Sequence, residues 1–270
     1  MSIFNNGILV VAHPDDECLF YSSIINKIST IIFCFSKIPG EKYLSNGREK
    51  ALNEFPLKNI NLIYLNITQA KTNNRPLNWL NIKDSEYGIK GGYDESSYMK
   101  NFSILKSKLN KLLTSNTSVI THNPWGEYGN AEHTQIFKII FNIAKKKNII
   151  MFVDGYYSNL SRFYTYRKQN LLIPKVYSFK TSKKYYSQLK DHYMKNGCWT
   201  WFNNYEVPQY ECFYKVDLRL DINTNLKFNR ILNYPLNYIE IRNPIYQYLR
   251  DLLRQFLPIR IKTFFRKRRN

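Results

Sequence analysis

A histidine and three acidic residues lie within five consecutive positions near the start of the chain, His13 to Glu17. A neutral imidazole and a carboxylate are good ligands for zinc or iron(II). Pro14 fixes the direction of the backbone, so His13 and Asp16 can converge while Asp15 points elsewhere. The pattern therefore indicates a metal site. The competing interpretation is that the three acids only cap the helix that follows.

A second segment with similar chemistry runs from Thr121 to His133 and also contains His122 and Glu127. The chain has four histidines, and three of them lie in these two segments. Clustering of this kind favours a shared site. The alternative is that each histidine is a hydrogen-bonded packing residue.

Short apolar segments alternate with segments of helical periodicity over about the first 155 residues, which is typical of a parallel sheet covered by helices. Strands are predicted at residues 7–12, 30–35, 61–65, 118–121 and 149–153. Helices are predicted at residues 17–27, 46–55, 96–113 and 133–146. The alternation predicts a doubly wound, mostly parallel, Rossmann-like α/β sheet flanked by helices. The two histidine-containing segments, residues 13–17 and 121–133, both follow strands, at the sheet edge where such folds bind ligands.

We expect three regions in the chain. Residues 1–155 form the α/β core, and residues 156–243 form a decorated continuation that covers the core and the pocket, with a strand at 175–179 and a helix at 183–195. Residues 244–270 form an amphipathic helix and a basic tail. The stretch 71–93 is either a lid or a long ordered loop.

The composition excludes several classes of protein. Four dispersed cysteines without a C-x-x-C pair argue against a disulfide framework or a cysteine zinc site. We expect no signal peptide, no membrane span and a cytoplasmic location. The net charge of +20 is concentrated partly in the tail, where apolar and basic residues alternate. That tail predicts contact with an anionic membrane surface, or else an ordinary docking helix, and no nucleic-acid partner is expected.

Two motifs resemble those of the PIG-L/LmbE family of metal-dependent de-N-acetylases: AHPDDE after the first strand, and TH-x-x-x-x-E-Y-G-x-x-x-H after a later one. The similarity in element order covers about residues 7–155, with weaker echoes at 183–201. The resemblance implies that His13, Asp16 and His133 bind the metal ion and that Asp15 is the general base. It also implies that Arg48 contacts substrate and that the metal is Zn²⁺, with Fe²⁺ as an alternative.

The sequence departs from the family pattern at Asn130, where many members have a histidine that stabilises an oxyanion or donates a proton. An asparagine cannot titrate, but its amide N–H can still stabilise an oxyanion. Asn130 is therefore the second predicted catalytic residue. His122 and Tyr128 are predicted to lie at the substrate, with His122 also able to orient a carboxylate or to bind Asn130.

The expected function is removal of acetyl from an N-acetylated amino sugar of the GlcNAc type, carried on a nucleotide, a lipid or a glycan. The reaction would serve surface-glycan or glycolipid assembly, at the inner face of a membrane. One alternative is a non-catalytic or weakened glycan-binding homologue. Another is an iron(II) oxygenase, in which His13, Asp15 and His133 would form a facial triad. Those oxygenases usually have a β-sandwich barrel, which the alternation of strands and helices disfavours.

Overall fold

The computed structural model describes residues 3–71, 78–115, 117–223 and 234–241. Its strands are β1 (Gly7–Val11), β2 (Ile28–Lys37), β3 (Asn61–Thr68), β4 (Asp84–Ser85), β5 (Gly88–Ile89), β6 (Ser118–Thr121), β7 (Ile150–Asp154), β8 (Tyr156–Ser158), β9 (Leu172–Lys180), β10 (Tyr210–Val216) and β11 (Asn237–Ile239). Its α-helices are α1 (Asp16–Phe20), α2 (Lys42–Asn53), α3 (Glu95–Leu112), α4 (Gly126–Gly129), α5 (Ala131–Lys147), α6 (Arg162–Lys168) and α7 (Lys183–Lys195).

A seven-stranded sheet with the order β3-β2-β1-β6-β7-β10-β9 organises the fold. The first five strands of that order run parallel, and β10 is antiparallel to both β7 and β9. This confirms the predicted α/β class with a mostly parallel sheet flanked by helices. The chain moves outward from β1 to β3 and then crosses to β6 on the other side of β1. The strand order therefore reverses between β1 and β6, where open α/β sheets form a binding crevice.

The sheet forms its core from strands that are apolar on both faces. Leu9, Val10 and Val11 of β1 are fully buried, as are Val119 and Ile120 of β6. Helix α5 contacts β1, β6 and β7. Its buried apolar residues are Ala131, Ile136, Phe137, Ile139, Ile140, Phe141, Ile143 and Ala144. This packing fixes the first turn of α5 beside the carboxyl ends of β1 and β6.

The predicted helix at 17–27 is wrong in its length, because α1 ends at Phe20. The backbone N–H of Ser23, which a longer helix would bond internally, instead donates to Glu211 Oε2 at 2.9 Å. The Ser22 hydroxyl donates to the other oxygen of that carboxylate at 2.8 Å. The buried Glu211 lies on β10, so a distant strand redirects the chain here.

Beyond residue 155 the chain adds two strands to the same sheet. The predicted strand at 175–179 lies within β9, and the predicted helix at 183–195 is α7. In the stretch 71–93 the described residues include the short β4–β5 hairpin, and Trp79 lies against Gly129. The predicted amphipathic helix and basic tail at 244–270 lie outside the described residues. Among the helices in the described ranges, none is long and apolar enough to cross a membrane.

Candidate active site

The carboxyl ends of β1 and β6 bring together the two histidine-containing segments, residues 13–17 and 121–133. His13 and Asp16 follow β1, while His122 and Glu127 follow β6. His133 lies in the first turn of α5, which begins directly behind the β6 segment. Because β1 and β6 are neighbouring parallel strands, both segments emerge on the same edge of the sheet. Residues more than one hundred positions apart therefore share one buried site.

Three donor atoms form a nearly equilateral triangle at this edge. Asp16 Oδ2 lies 3.3 Å from His13 Nδ1 and 3.5 Å from His133 Nε2, and the two nitrogens are 3.3 Å apart. Zinc bonds to N and O ligands of about 2.0–2.2 Å place the ligand atoms of a tetrahedron roughly 3.3–3.6 Å apart. The spacing of the three donors therefore fits a first-row metal ion. These are the residues that the sequence predicted as ligands.

In each of the two histidines, the ring nitrogen that lies outside the triangle (the outer nitrogen) is bound to a buried carboxylate. His13 Nε2 lies 2.7 Å from Glu132 Oε2, and His133 Nδ1 is paired with Glu127. Gln69 Nε2 and the Ala70 N–H donate to Glu132 at 2.8 and 3.1 Å, so that carboxylate is itself held in place. A carboxylate behind a ligand histidine fixes the tautomer that leaves the inner nitrogen unprotonated. The inner nitrogens here are the two that face Asp16.

His122 supports this arrangement from behind. Its Nε2 accepts the Ala12 N–H at 2.9 Å, so Nδ1 carries the hydrogen and donates to Glu127 Oε1 at 3.2 Å. The ring stacks on His133 with 3.8 Å between centroids. His122 is fully buried, and its place in the structure is next to His133 and Glu127. His122 thus orients the Glu127 carboxylate, and its contact with substrate stays a prediction.

The group formed by His122, Glu127 and His133 has ligand atoms close enough to hold a second ion. The hydrogen bonds argue against that use. The Nδ1 atoms of both histidines are occupied by the Glu127 carboxylate, and His122 Nε2 is occupied by the Ala12 N–H. This group therefore orients the ligands of the first triangle.

The electrostatics of the triangle favour a bound cation. Burial alone would raise the pKa of Asp16, but His133 and His13 hold it well below its usual range. Burial lowers the pKa of His133, which makes its proton easier to displace by a bound cation. Burial alone would lower the pKa of His13, but Asp16 and Glu132 raise it to about 9. Metal binding therefore displaces a proton from His13, which makes the affinity fall at low pH.

Asp15 is held apart from the triangle. Its carboxylate Oδ2 accepts from the Thr200 hydroxyl at 2.6 Å and from the Thr200 N–H at 3.3 Å. Burial and the adjacent Asp16 raise the pKa of Asp15 to about 6, although Arg48 opposes that shift. An oxygenase triad of His13, Asp15 and His133 does not match this geometry, because the carboxylate that converges with the two histidines is that of Asp16.

Arg48 lies on α2 and is 3% exposed. Its Nε and Nη1 atoms are buried without a hydrogen-bond partner among the described residues. Its charge acts on Asp15. Unpaired buried donors destabilise a folded chain, so a guanidinium in this state is suited to an oxygen-rich ligand.

Asn130 caps helix α5. Its Oδ1 accepts from the backbone N–H groups of Glu132 and His133 at 2.8 and 3.3 Å, and its Nδ2 donates to the Tyr128 hydroxyl oxygen at 3.1 Å. The Tyr128 ring lies 5.5 Å from the His133 ring and 5.0 Å from that of Trp201. The structure thus places Asn130 and Tyr128 beside His133, joined to each other by a hydrogen bond.

Several site residues received no role from the sequence. Glu127 and Glu132 lie inside the second segment, so their acidic side chains close to histidines were a usable signal. Asp154 ends β7 and accepts from Tyr21 and from Asn123, which ties β7 to the β6 segment. Thr200 lies 185 positions from its partner Asp15, and no local pattern pointed to it.

Comparison with known proteins gives one relative and a set of solved structures. No family model matches the chain. Uncharacterized protein L374 of Acanthamoeba polyphaga mimivirus is 28% identical over 185 residues, which cover 64% of this chain and 75% of the relative.

The solved structures that are similar include two deacetylases. The zinc-inhibited form of teicoplanin deacetylase Orf2 covers 78% of this chain and 97% of its own, with a TM-score of 0.50 and 10% identity. The A40926 pseudoaglycone deacetylase Dbv21 covers 80% of this chain and 99% of its own, with a TM-score of 0.50 and 12% identity. At this identity the likeness shows a shared fold.

The first prediction concerns metal binding by His13 and His133. Replacing either by alanine removes one corner of the triangle, so the chain should lose the bound ion and keep its fold. His192→Ala is the matched control, because the fourth histidine donates to the Ala51 carbonyl oxygen at 2.8 Å, outside the site. Elemental analysis after loading with Zn²⁺ and desalting measures the content. Equal metal in all four proteins would contradict the assignment.

The second prediction concerns Glu132. Glu132→Gln keeps the shape of the side chain but removes the charge behind His13, so metal affinity should fall by about 10–100-fold. Competition with a chelator measures that affinity. Glu49→Gln, an exposed position on α2, should leave it unchanged. An unaltered affinity in Glu132→Gln would show that this carboxylate does not support the ligand.

Proposed function

We propose that the chain is a metal-dependent amide hydrolase that removes an acetyl group from an N-acetylated amino sugar. The observation that carries the proposal is the triangle of His13, Asp16 and His133 beside the separate carboxylate of Asp15. Three protein ligands leave coordination positions open, as catalytic zinc sites do, whereas structural sites are closed by four. The Zn²⁺ ion is the preferred occupant, and Fe²⁺ would accept the same donors.

A metal ion at this position supplies Lewis-acid polarisation of the amide carbonyl and of the attacking water. The proton chemistry belongs to the chain. Asp15 takes a proton from the water as its oxygen bonds to the acetyl carbon. It then returns that proton to the sugar nitrogen as the carbon–nitrogen bond breaks, giving acetate and the free amine. A pKa of about 6 suits a group that must do both near neutral pH.

Developing charge on the acetyl oxygen needs a hydrogen-bond donor. The Tyr128 hydroxyl oxygen already accepts from Asn130, so its own hydrogen is available for donation. Donors of this kind are worth about 3–4 kcal/mol to the barrier of acyl transfer. Asn130 would therefore act by holding Tyr128, together with its cap on α5, in the place of a titrating histidine.

The case for a sugar substrate rests on Arg48, whose charge acts on Asp15, and on the aromatic side chain of Trp201. Arg48 brings buried donors that suit hydroxyl or acidic oxygens. The partly exposed Trp201 ring lies 5.0 Å from the Tyr128 ring and is an aromatic face of the kind that sugars stack on. A teicoplanin deacetylase and an A40926 pseudoaglycone deacetylase with the same fold support this choice of reaction. The carrier of the sugar and the GlcNAc identity are further parts of the proposal.

A panel of N-acetylated sugars tests the proposed function. The zinc-loaded chain should release acetate from at least one of free N-acetylhexosamines, their nucleotide-linked forms, N-acetylated glycolipids and glycopeptides. The chelator-treated chain is the control and should release none. A loaded chain that binds these sugars without releasing acetate would instead favour the non-catalytic glycan-binding alternative.

The third prediction separates the base from the ligands. Asp15→Asn keeps the triangle intact, so the chain should retain its metal ion and lose turnover by at least about 100-fold. Acetate release and metal content are measured on the same sample. Asp191→Asn, an exposed position on α7, should change neither. Turnover near that of the unchanged chain in Asp15→Asn would mean that another group takes the proton.

A further inference from the structure

The backbone of Asp15 has a conformation that needs support. Its φ of 107° and ψ of −24° lie in a region that non-glycine residues rarely adopt. Such a conformation is strained and persists only where its surroundings fix it. The Asp15 N–H donates to Glu17 Oε2 at 3.1 Å, and the Tyr193 hydroxyl donates to Glu17 Oε1 at 2.7 Å. Helix α7 thereby holds the backbone of Asp15 through one buried glutamate.

The side chain of Asp15 is held by a different element. Thr200 lies in the segment between α7 and β10 and donates twice to a single oxygen, Oδ2. Every hydrogen bond that the described residues make to this carboxylate goes to that oxygen. The other oxygen, Oδ1, is left without a bound donor from those residues. Because both hydrogen bonds go to one oxygen, they fix the rotation of the carboxylate and leave the other oxygen available to a ligand or a proton.

Thr200 reaches Asp15 from the surface of the protein. Thr200 is exposed, while Asp15 is 2% exposed, so the threonine reaches the buried carboxylate from the solvent side. The contact joins a surface residue to the group that the proposed reaction uses for proton transfer.

We propose that Thr200 is a positioning residue that, with Glu17 and Tyr193 behind the backbone, holds the Asp15 carboxylate by Oδ2 and leaves Oδ1 to take the proton. This inference rests on the proposed function. Thr200 donates a hydrogen bond throughout and does not itself exchange a proton. Misplacing a reacting group by about 1 Å can cost about 100-fold in rate, so loss of the hydroxyl acts on turnover more than on substrate binding.

The fourth prediction tests this role with Thr200→Val, which removes the hydroxyl and keeps the side-chain shape. In the zinc-loaded full chain, kcat for acetate release should fall by about 10–100-fold, with KM and bound zinc within twofold of the unchanged chain. Thr200→Ser should restore kcat to within about threefold, and Thr200→Ala should behave like Thr200→Val. Thr117→Val is the control, because that hydroxyl bonds the Thr114 carbonyl on a distant loop.

A second measurement separates positioning from a general structural effect. If Thr200 acts through Asp15, then Thr200→Val should cause no further loss in a chain that already carries Asp15→Asn, because groups that act as a unit are non-additive. Full kcat in Thr200→Val, losses that add in the double variant, or no rescue by serine would each overturn the inference. An unchanged chain that releases no acetate from any substrate would overturn the proposed function itself, and the two failures are therefore distinguishable.

Discussion

A single buried carboxylate oxygen, Asp16 Oδ2, is the point on which the site converges. It accepts the His13 N–H at 2.7 Å and lies 3.3–3.5 Å from one nitrogen each of His13, His122 and His133. A charge in the interior is tolerated only where it is paired and hydrogen-bonded. The segments that follow β1 and β6 and the first turn of α5 must therefore keep fixed relative positions. The sheet supplies that constraint, because β1 and β6 are bonded neighbours and α5 packs on both.

The polar groups around Asp16 form a connected network in an otherwise apolar edge. Glu127 binds the two histidines on the β6 side, and Glu132 binds His13 on the other. Further out, Asp154 connects β7 to the same region through Asn123. A network of this kind stabilises one arrangement strongly when it is satisfied and destabilises the fold when a member is lost. The network therefore fixes the positions of the three side chains that could bind a metal ion.

The fold and the ligand triangle were accessible from sequence because their determinants are local. Apolar strands such as residues 118–121 need only their own pattern to be found, and a histidine that directly follows a strand must lie at the sheet edge. Other features depend on partners far along the chain. Helix α1 is short because Ser22 and Ser23 donate hydrogen bonds to Glu211. Strand β10 lies antiparallel between β7 and β9. Thr200 belongs to the same class, since nothing near position 200 signals Asp15.

The oxygen and the nitrogen of the Asn130 side chain amide have different functions. Asparagine is among the best helix N-caps, so its oxygen preserves the start of α5 and hence the direction of His133. Its amide nitrogen donates to the Tyr128 hydroxyl oxygen, which leaves the hydroxyl hydrogen of Tyr128 available to donate. In the proposed reaction this leaves Asp15 as the one group that both takes and returns the proton. A base with no titrating partner must stay aligned through two successive steps, which gives a physical reason for the strained backbone and the two-point grip on its side chain.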